Sequence, residues 1–218
     1  FYNVSGTCTE NLQMVIVSIN GMDNTSGTCM GGSFFVTGMN VSGPPDGTVT
    51  IGARMTDTAG NVGSGSASVS KDTTAPTVAI GAPSDTLINS AGSATFTLTY
   101  EVAPSPALVS GDITVTQSGV SSCAAVVTNG GTTNPSVDVS GCTGNGSFTI
   151  SVASGQSSDA AGNPDAGAGP SAPVTVDNTS PTVVITSTPT INASNASSYV
   201  VSGTCTENGL PVTVTVGG

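Results

Sequence analysis

Along most of the chain, apolar residues alternate with small polar ones in short runs. Val49, Ile51, Ala53 and Met55 share one face of such a run, with Thr48, Thr50, Gly52 and Arg54 on the other. Phe148, Ile150 and Val152 repeat the pattern, as do Phe96, Leu98 and Tyr100 against Thr95, Thr97 and Thr99. Val15, Val17 and Ile19, then Phe35 with its neighbours, and Val174 with Val176 mark further strands. A period of two with one apolar face is what a half-buried antiparallel strand requires. Pro44-Pro45-Asp46-Gly47 and Asn129-Gly130-Gly131 supply turn chemistry between runs. No segment keeps a helical period for three turns, so an all-β fold is expected.

The runs belong to a larger repeat. Asp57-Thr58-Ala59-Gly60-Asn61 returns as Asp159-Ala160-Ala161-Gly162-Asn163, a shift of 102 positions. Asp72-Thr73-Thr74-Ala75-Pro76 returns as Asp177-Asn178-Thr179-Ser180-Pro181, a shift of 105. The opening stretch Tyr2 to Asn11 recurs as Tyr199 to Asn208, with Cys205 as the copy of Cys8, a shift of 197. Recurrence at about one domain length marks an array. The expected division is 1–76, a sandwich lacking its first strand; 77–181, a complete one; and 182–218, the start of the next.

Composition narrows the function. Two basic residues, Arg54 and Lys71, stand against 13 acidic ones, giving a net charge of -11. That field repels nucleic acid and anionic membrane surfaces. Histidine is absent, which removes the commonest general base and transition-metal ligand. Serines are plentiful without a base beside them, so no enzyme is expected, although a glycosidase-type carboxylate pair stays open. Dispersed Asp with Asn and carbonyls nearby is the ligand set of a hard cation, calcium.

The five cysteines avoid C-x-x-C spacing. Cys8 with Cys29 and Cys123 with Cys142 each enclose a short segment and read as two local disulfides, each worth about 3 kcal/mol; buried free thiols are the alternative. Cys205 is unpaired within this segment, and its partner is expected beyond Gly218. This usage points to an extracellular setting. No signal peptide or membrane-spanning run is visible, so the chain is expected to be an excerpt of a longer secreted product.

The D-x-A-G-N turn, a closing strand and then D-T-T-A-P resemble bacterial Ig-like tandem repeats, which form the stalks of giant surface adhesins and related extracellular fibres. The resemblance covers nearly the whole chain. It departs in lacking an antibody-type core Trp and a Tyr two residues before a strand Cys, and the local disulfides are not an obvious part of the pattern. It implies tandem Ig-like antiparallel β-sandwich (Greek-key) domains with a structural role, extending and stiffening a stalk. It also implies calcium at the domain interface, held by Asp57, Asn61 and Asp72 at one junction and Asp159, Asn163 and Asp177 at the next, with Asp165 as an extra carboxylate. A purely structural account competes with this. Ala-Gly-Asn is then a tight turn with Gly60 and Asn61 chosen for positive φ, and the linker Asp caps its own loop.

Two other roles stay in view. A self-assembling extracellular filament subunit would exchange strands with its neighbours, because residues 182–197, the opening of the first unit type, sit at the far end of this chain. A glycan- or surface-binding module would use loops at one domain end, and the chain offers only five Phe and three Tyr for that. Expected partners are neighbouring repeats and other copies in a filament; the distal ligand is not legible. Lys71 aligns with core-facing Val176, and its default is a rim position with the stem packed. Glu10 and Glu207 default to solvated turns. Seven N-x-S/T sequons, at Asn3, Asn24, Asn40, Asn145, Asn178, Asn192 and Asn195, leave glycosylation open.

Overall fold

The computed structural model describes residues 2–216. Sixteen strands and one short 3-10 turn, Ser110–Asp112, are described, and the fold is all-β. In the first stretch β1 (Tyr2–Thr7) pairs antiparallel with β4 (Ser33–Met39). A second sheet there has the order β3-β2-β5-β6, from β2 (Met14–Ile19), β3 (Met22–Thr28), β5 (Gly47–Thr56) and β6 (Val62–Lys71). Val15, Val17, Phe34, Val36, Val49 and Ile51 fill the space between the two sheets.

The second stretch is a fuller sandwich. One sheet runs β11-β12-β9-β7, from β7 (Val78–Pro83), β9 (Ser93–Tyr100), β11 (Ala124–Thr128) and β12 (Ser136–Ser140). The other runs β10-β13-β14-β8, from β8 (Leu87–Ile88), β10 (Ile113–Ser121), β13 (Thr143–Val152) and β14 (Val174–Val176). β8 pairs parallel with β14, so the chain crosses from one sheet to the other between β7 and β8. The inward faces are those with period two in the sequence: Phe96, Leu98 and Tyr100 from β9, Phe148, Ile150 and Val152 from β13, and Val174 and Val176 from β14 are all buried. Phe96 and Phe148 meet edge to face across the sheets, ring centres 6.4 Å apart.

Past the second linker, β15 (Val183–Ser187) pairs with β16 (Ser202–Cys205), and every residue of both is exposed. Phe35 is 63% exposed, whereas Phe34 and Val36 on either side of it are buried. Parity on β4 is set by Gly6, which lies opposite Phe34. A Cβ at Gly6 would come within 2.6 Å of the Phe34 ring, so only glycine lets that ring lie across the strand.

The cysteines pair as Cys8–Cys29 and Cys123–Cys142. Cys8 follows β1 and Cys29 follows β3, so the first disulfide joins the two sheets. Cys123 and Cys142 lie in the two loops, β10 to β11 and β12 to β13, by which the chain changes sheet. Cys205 is exposed and carries a free thiol.

Candidate functional site

The two D-x-A-G-N turns fold identically. The Asp57 carboxylate accepts hydrogen bonds from the backbone N–H of Ala59 (2.9 Å) and Asn61 (2.7 Å) and from the Asn61 side-chain amide (2.8 Å). Asp159 accepts the same three, from Ala161, Asn163 and the Asn163 amide, at 2.9, 2.9 and 2.8 Å. Gly60 and Gly162 each take φ of 91°, which closes the turn. Asn61 is not among the positive-φ residues, so its expected backbone role is corrected: its side chain holds the aspartate.

These bonds favour the ionised acid. The Asn61 side chain, then its backbone N–H, hold Asp57 below the usual value of 3.8, and Asn163 does the same for Asp159. A depressed folded-state pKa stabilises the fold fully above 3.8 and loses that contribution as pH falls through the folded value. Both turns therefore tighten at neutral pH and slacken in acid.

Strand direction decides which linker each turn faces. β5 and β6 form a hairpin with Thr56 opposite Val62 at the turn and Gly47 opposite Lys71 at the far end. The ten residues of β6 put Asn61 and Asp72 about 30 Å apart. One calcium binds its oxygens at about 2.3–2.6 Å, so Asp57 and Asn61 do not share an ion with Asp72. That grouping is corrected. In the second stretch, β13 ends at Val152 opposite Ile113, while its start lies against β14, with Gly146 opposite Val176 just before the second linker. The Asp159–Asn163 turn, after the end of β13, is thus at the end where the chain enters, and Asp177 is at the end where it leaves.

The structure accordingly brings the second turn to the first linker. The Asn163 amide donates to the Asp72 carbonyl at 3.2 Å while also holding the Asp159 carboxylate. Asp72 caps its own turn by accepting from the Thr74 N–H (3.1 Å), and Asp177 does so with Thr179 (2.9 Å). Asp165 is buried at the same entry end and accepts the N–H groups of Ser157 and Gly167 (2.8 Å for the latter). Burial, followed by the charges of Asp165 and Asp112, pushes the neighbouring Tyr100 hydroxyl up to about 12. Among the described residues no three acidic or cysteine side chains gather closely enough to hold a metal by themselves.

Two groups that carry no motif grip this linker hardest. Asp46, at the exit end of the first stretch, accepts from the Thr73 N–H and the hydroxyls of Thr73 and Thr74, each at 2.9 Å. The Thr73 N–H is the main cause holding the Asp46 carboxyl below 3.8. Glu101, at the entry end of the second stretch, accepts from the Thr77 N–H (3.0 Å) and hydroxyl (3.2 Å), and its own N–H donates to the Thr77 carbonyl (3.0 Å). Six residues of linker are thus held from both ends. The second linker is held alike: the Asn178 side-chain amide donates to the Gly144 carbonyl, and Asn145 stands in the place of Asp46, its side-chain oxygen accepting the Asn178 N–H at 2.6 Å. Thr206 takes the place of Glu101, bonding Thr182 through both backbone and hydroxyl. Lys71 packs its stem at the rim and its ammonium donates to the carbonyls of Pro44 and Ser42.

No family model matches the sequence, and no curated protein matches it. Among solved structures, the chain is similar to a Ca2+-stabilised adhesin that helps an Antarctic bacterium reach out and bind ice, at 27% identity over 94% of this chain and 52% of that one, TM-score 0.41. It is similar to a structure bearing on host cell surface retention of a 1.5-MDa bacterial ice-binding adhesin, at 24% identity over 80% and 55%, TM-score 0.40. A tetra-tandem repeat from the extending region of a large adhesion protein matches at 26% identity over 93% and 52%, TM-score 0.31. This chain spans about half the length of the solved chains it matches. It resembles repeat regions of large bacterial adhesins.

Proposed function

We propose that the chain is a structural repeat of a secreted or cell-surface fibre or adhesin stalk. Its units divide at 1–76, 77–181 and 182–218, and its role is mechanical rather than catalytic. The observation that carries this is the linker between Asp72 and Thr77, fixed by Asp46 on one side and by Glu101 and Asn163 on the other. A tether meant only to connect needs no such bonds; a stalk that must hold its direction does. Neighbouring repeats are the partners, and the setting is extracellular.

The triple variant Asp46→Ala, Glu101→Ala and Asn163→Ala removes the grips on both sides while leaving the sandwich cores intact. Small-angle X-ray scattering is expected to show a broader distribution of end-to-end distances for the variant than for the parent. Identical distributions would sink the stiffening role.

Calcium suits the junction as the structure arranges it. The Asp72 carbonyl and the Asp159 carboxylate converge on one amide group, and both are hard oxygen donors of the kind calcium takes. The site residues are then Asp72, Asp159 and Asn163 together. Asp57 with Asn61 would serve the linker of a preceding unit, and Asp177 the turn of the unit that follows. Bound calcium would neutralise acids that otherwise repel across the joint. Thermal unfolding in millimolar calcium is expected to give a higher midpoint than in EGTA, the folded state gaining about 2.7 kcal/mol when the ion stands at a hundredfold its dissociation constant. Asp159→Ala, which removes the one carboxylate of that set, is expected to shrink the difference. Equal midpoints would remove calcium and leave the hydrogen-bonded clamp alone.

A further inference from the structure

Tension along the chain enters the second sandwich at Thr77, ahead of β7, and leaves it after β14, at Asp177. Between these points the chain crosses from β7 to β8, and β8 lies beside β14. The two run parallel, Leu87 opposite Thr175 and Ile88 opposite Val176. Direction decides how such a pair meets a pull. Antiparallel strands would be loaded at the same end, and their bonds would open one after another. Parallel strands are loaded at opposite ends, so a pull slides one along the other and strains every bond at once. β7 lies earlier on the load path but grips less firmly. Its ladder to β9 shifts register between Ile80 and Pro83, and Val78 and Ile80 are only partly buried. β14 instead seals the core, with Val174 and Val176 fully buried.

Three hydrogen bonds span the parallel pair. The Thr175 N–H donates to the Thr86 carbonyl at 2.8 Å, and the Asp177 N–H donates to the Ile88 carbonyl at 2.9 Å. Past the end of β8, the Ser90 N–H donates to the side-chain oxygen of Asn178. A side chain thus adds a rung to a strand of only two residues. Asn178 is itself anchored to the start of β13. Its side-chain amide donates to the Gly144 carbonyl and its N–H to the Asn145 side-chain oxygen, each at 2.6 Å. Thr73, at the equivalent position of the first linker, donates its hydroxyl to Asp46 instead. The change from Asp-Thr-Thr to Asp-Asn-Thr between the two linkers is therefore what supplies the extra rung. Ile88 and Val176 are buried beneath the pair, which keeps water from its inner face.

We propose that the parallel pair β8–β14, extended by Asn178, is the latch that sets the force at which the second sandwich yields to tension. β7 slips first without opening the core. The three rungs then bear the load side by side, and their rupture frees β14 and exposes the apolar interior. Resistance to force is a matter of the unfolding barrier, not of equilibrium stability, so these few bonds outweigh the larger packed interior. After rupture the Cys123–Cys142 disulfide limits how far the chain extends, because the segment it encloses cannot be drawn out. The latch deepens the reading of the chain as a stalk repeat, and it rests on that reading for its purpose.

The test pulls the 218-residue chain, with Cys205→Ser throughout, in optical tweezers along two directions. One preparation is held by its two ends. The other is held by a handle on Ser90→Cys and by the C-terminal end, which loads β8 and β14 at the same end and opens the rungs singly. The step belonging to the second sandwich is the one that lengthens by about 65 Å when Cys123→Ser and Cys142→Ser free the 19 residues of that loop. End-to-end rupture is expected at about three times the force of the second geometry, since three bonds of similar strength share the load. Asn178→Ala is expected to lower the end-to-end force by about a third, one rung of the three. Val137→Ala empties a buried site in the opposite sheet, so it should lower the thermal midpoint and leave the rupture force unchanged. Equal forces in the two geometries would overturn the proposal. So would a Val137→Ala chain that ruptures as easily as Asn178→Ala. Scattering reads the linkers and the tweezers read the sandwich, so a flexible chain with a strong latch sinks the stalk reading alone, and a stiff chain without one sinks the latch alone.

Discussion

Phe148→Ala is expected to destabilise the second sandwich by about 3–5 kcal/mol, the cost of emptying an aromatic site in a packed core. Phe148 is 1% exposed and meets Phe96 edge to face, so its loss opens a void between the two sheets and removes that ring contact as well. A unit of this size has about 5–15 kcal/mol in total, and each kcal/mol moves its midpoint by about 4–8 °C. A fall of more than about 10 °C follows. The two apolar clusters share no residue, so calorimetry should show one transition moving while the other stays. Both transitions moving together would mean that the linker clamp couples the sandwiches more tightly than their separate cores suggest.

Alternation made most of the inward faces legible beforehand because each strand of the second sandwich has one buried and one exposed side. β9 and β13 read directly from Thr-x-Thr and Phe-x-Ile spacing. β4 did not, because Phe34, Phe35 and Val36 are consecutive and apolar, so alternation alone gives no parity. What decides it is a residue in another strand, Gly6, whose missing side chain admits Phe34. Long-range complementarity of that kind leaves no local trace.

The junction was half legible. The D-x-A-G-N turns and the linker aspartates were identifiable by recurrence, and the structure shows both turns built around their aspartate. Grouping each turn with the linker that follows it was the error. Ten residues of extended chain stand between Asn61 and Asp72, and that count alone sends the two to opposite ends of the sandwich. Asp46 and Glu101 were missed for a different reason. Asp46 sits in Pro-Pro-Asp-Gly, where turn chemistry accounts for it fully, and Glu101 directly follows an ordinary strand. The repeat conceals them further, since Asn145 and Thr206 hold the second linker with different side chains.

Removing Cys8–Cys29 is expected to cost the first sandwich about 3 kcal/mol, from the chain freedom restored to the unfolded state when a loop of sequence separation 21 is opened. Cys123–Cys142, with a separation of 19, is worth about the same by that reasoning. The consequences differ because the sandwiches do. Among the described residues the first has nine buried apolar residues against fifteen in the second, and its β1–β4 sheet has two strands. Cys8–Cys29 also fastens that thin sheet to the broader one, work that packing does in the second sandwich. Under a reductant, the first transition is therefore expected to fall below the second and to broaden, and Cys8→Ser with Cys29→Ser should reproduce it without reductant. The Cys123→Ser with Cys142→Ser variant should lower the second transition yet leave a cooperative one. If both pairs of variants shift their transitions equally and sharply, the thin β1–β4 sheet is held by the core alone and needs no fastening by Cys8–Cys29.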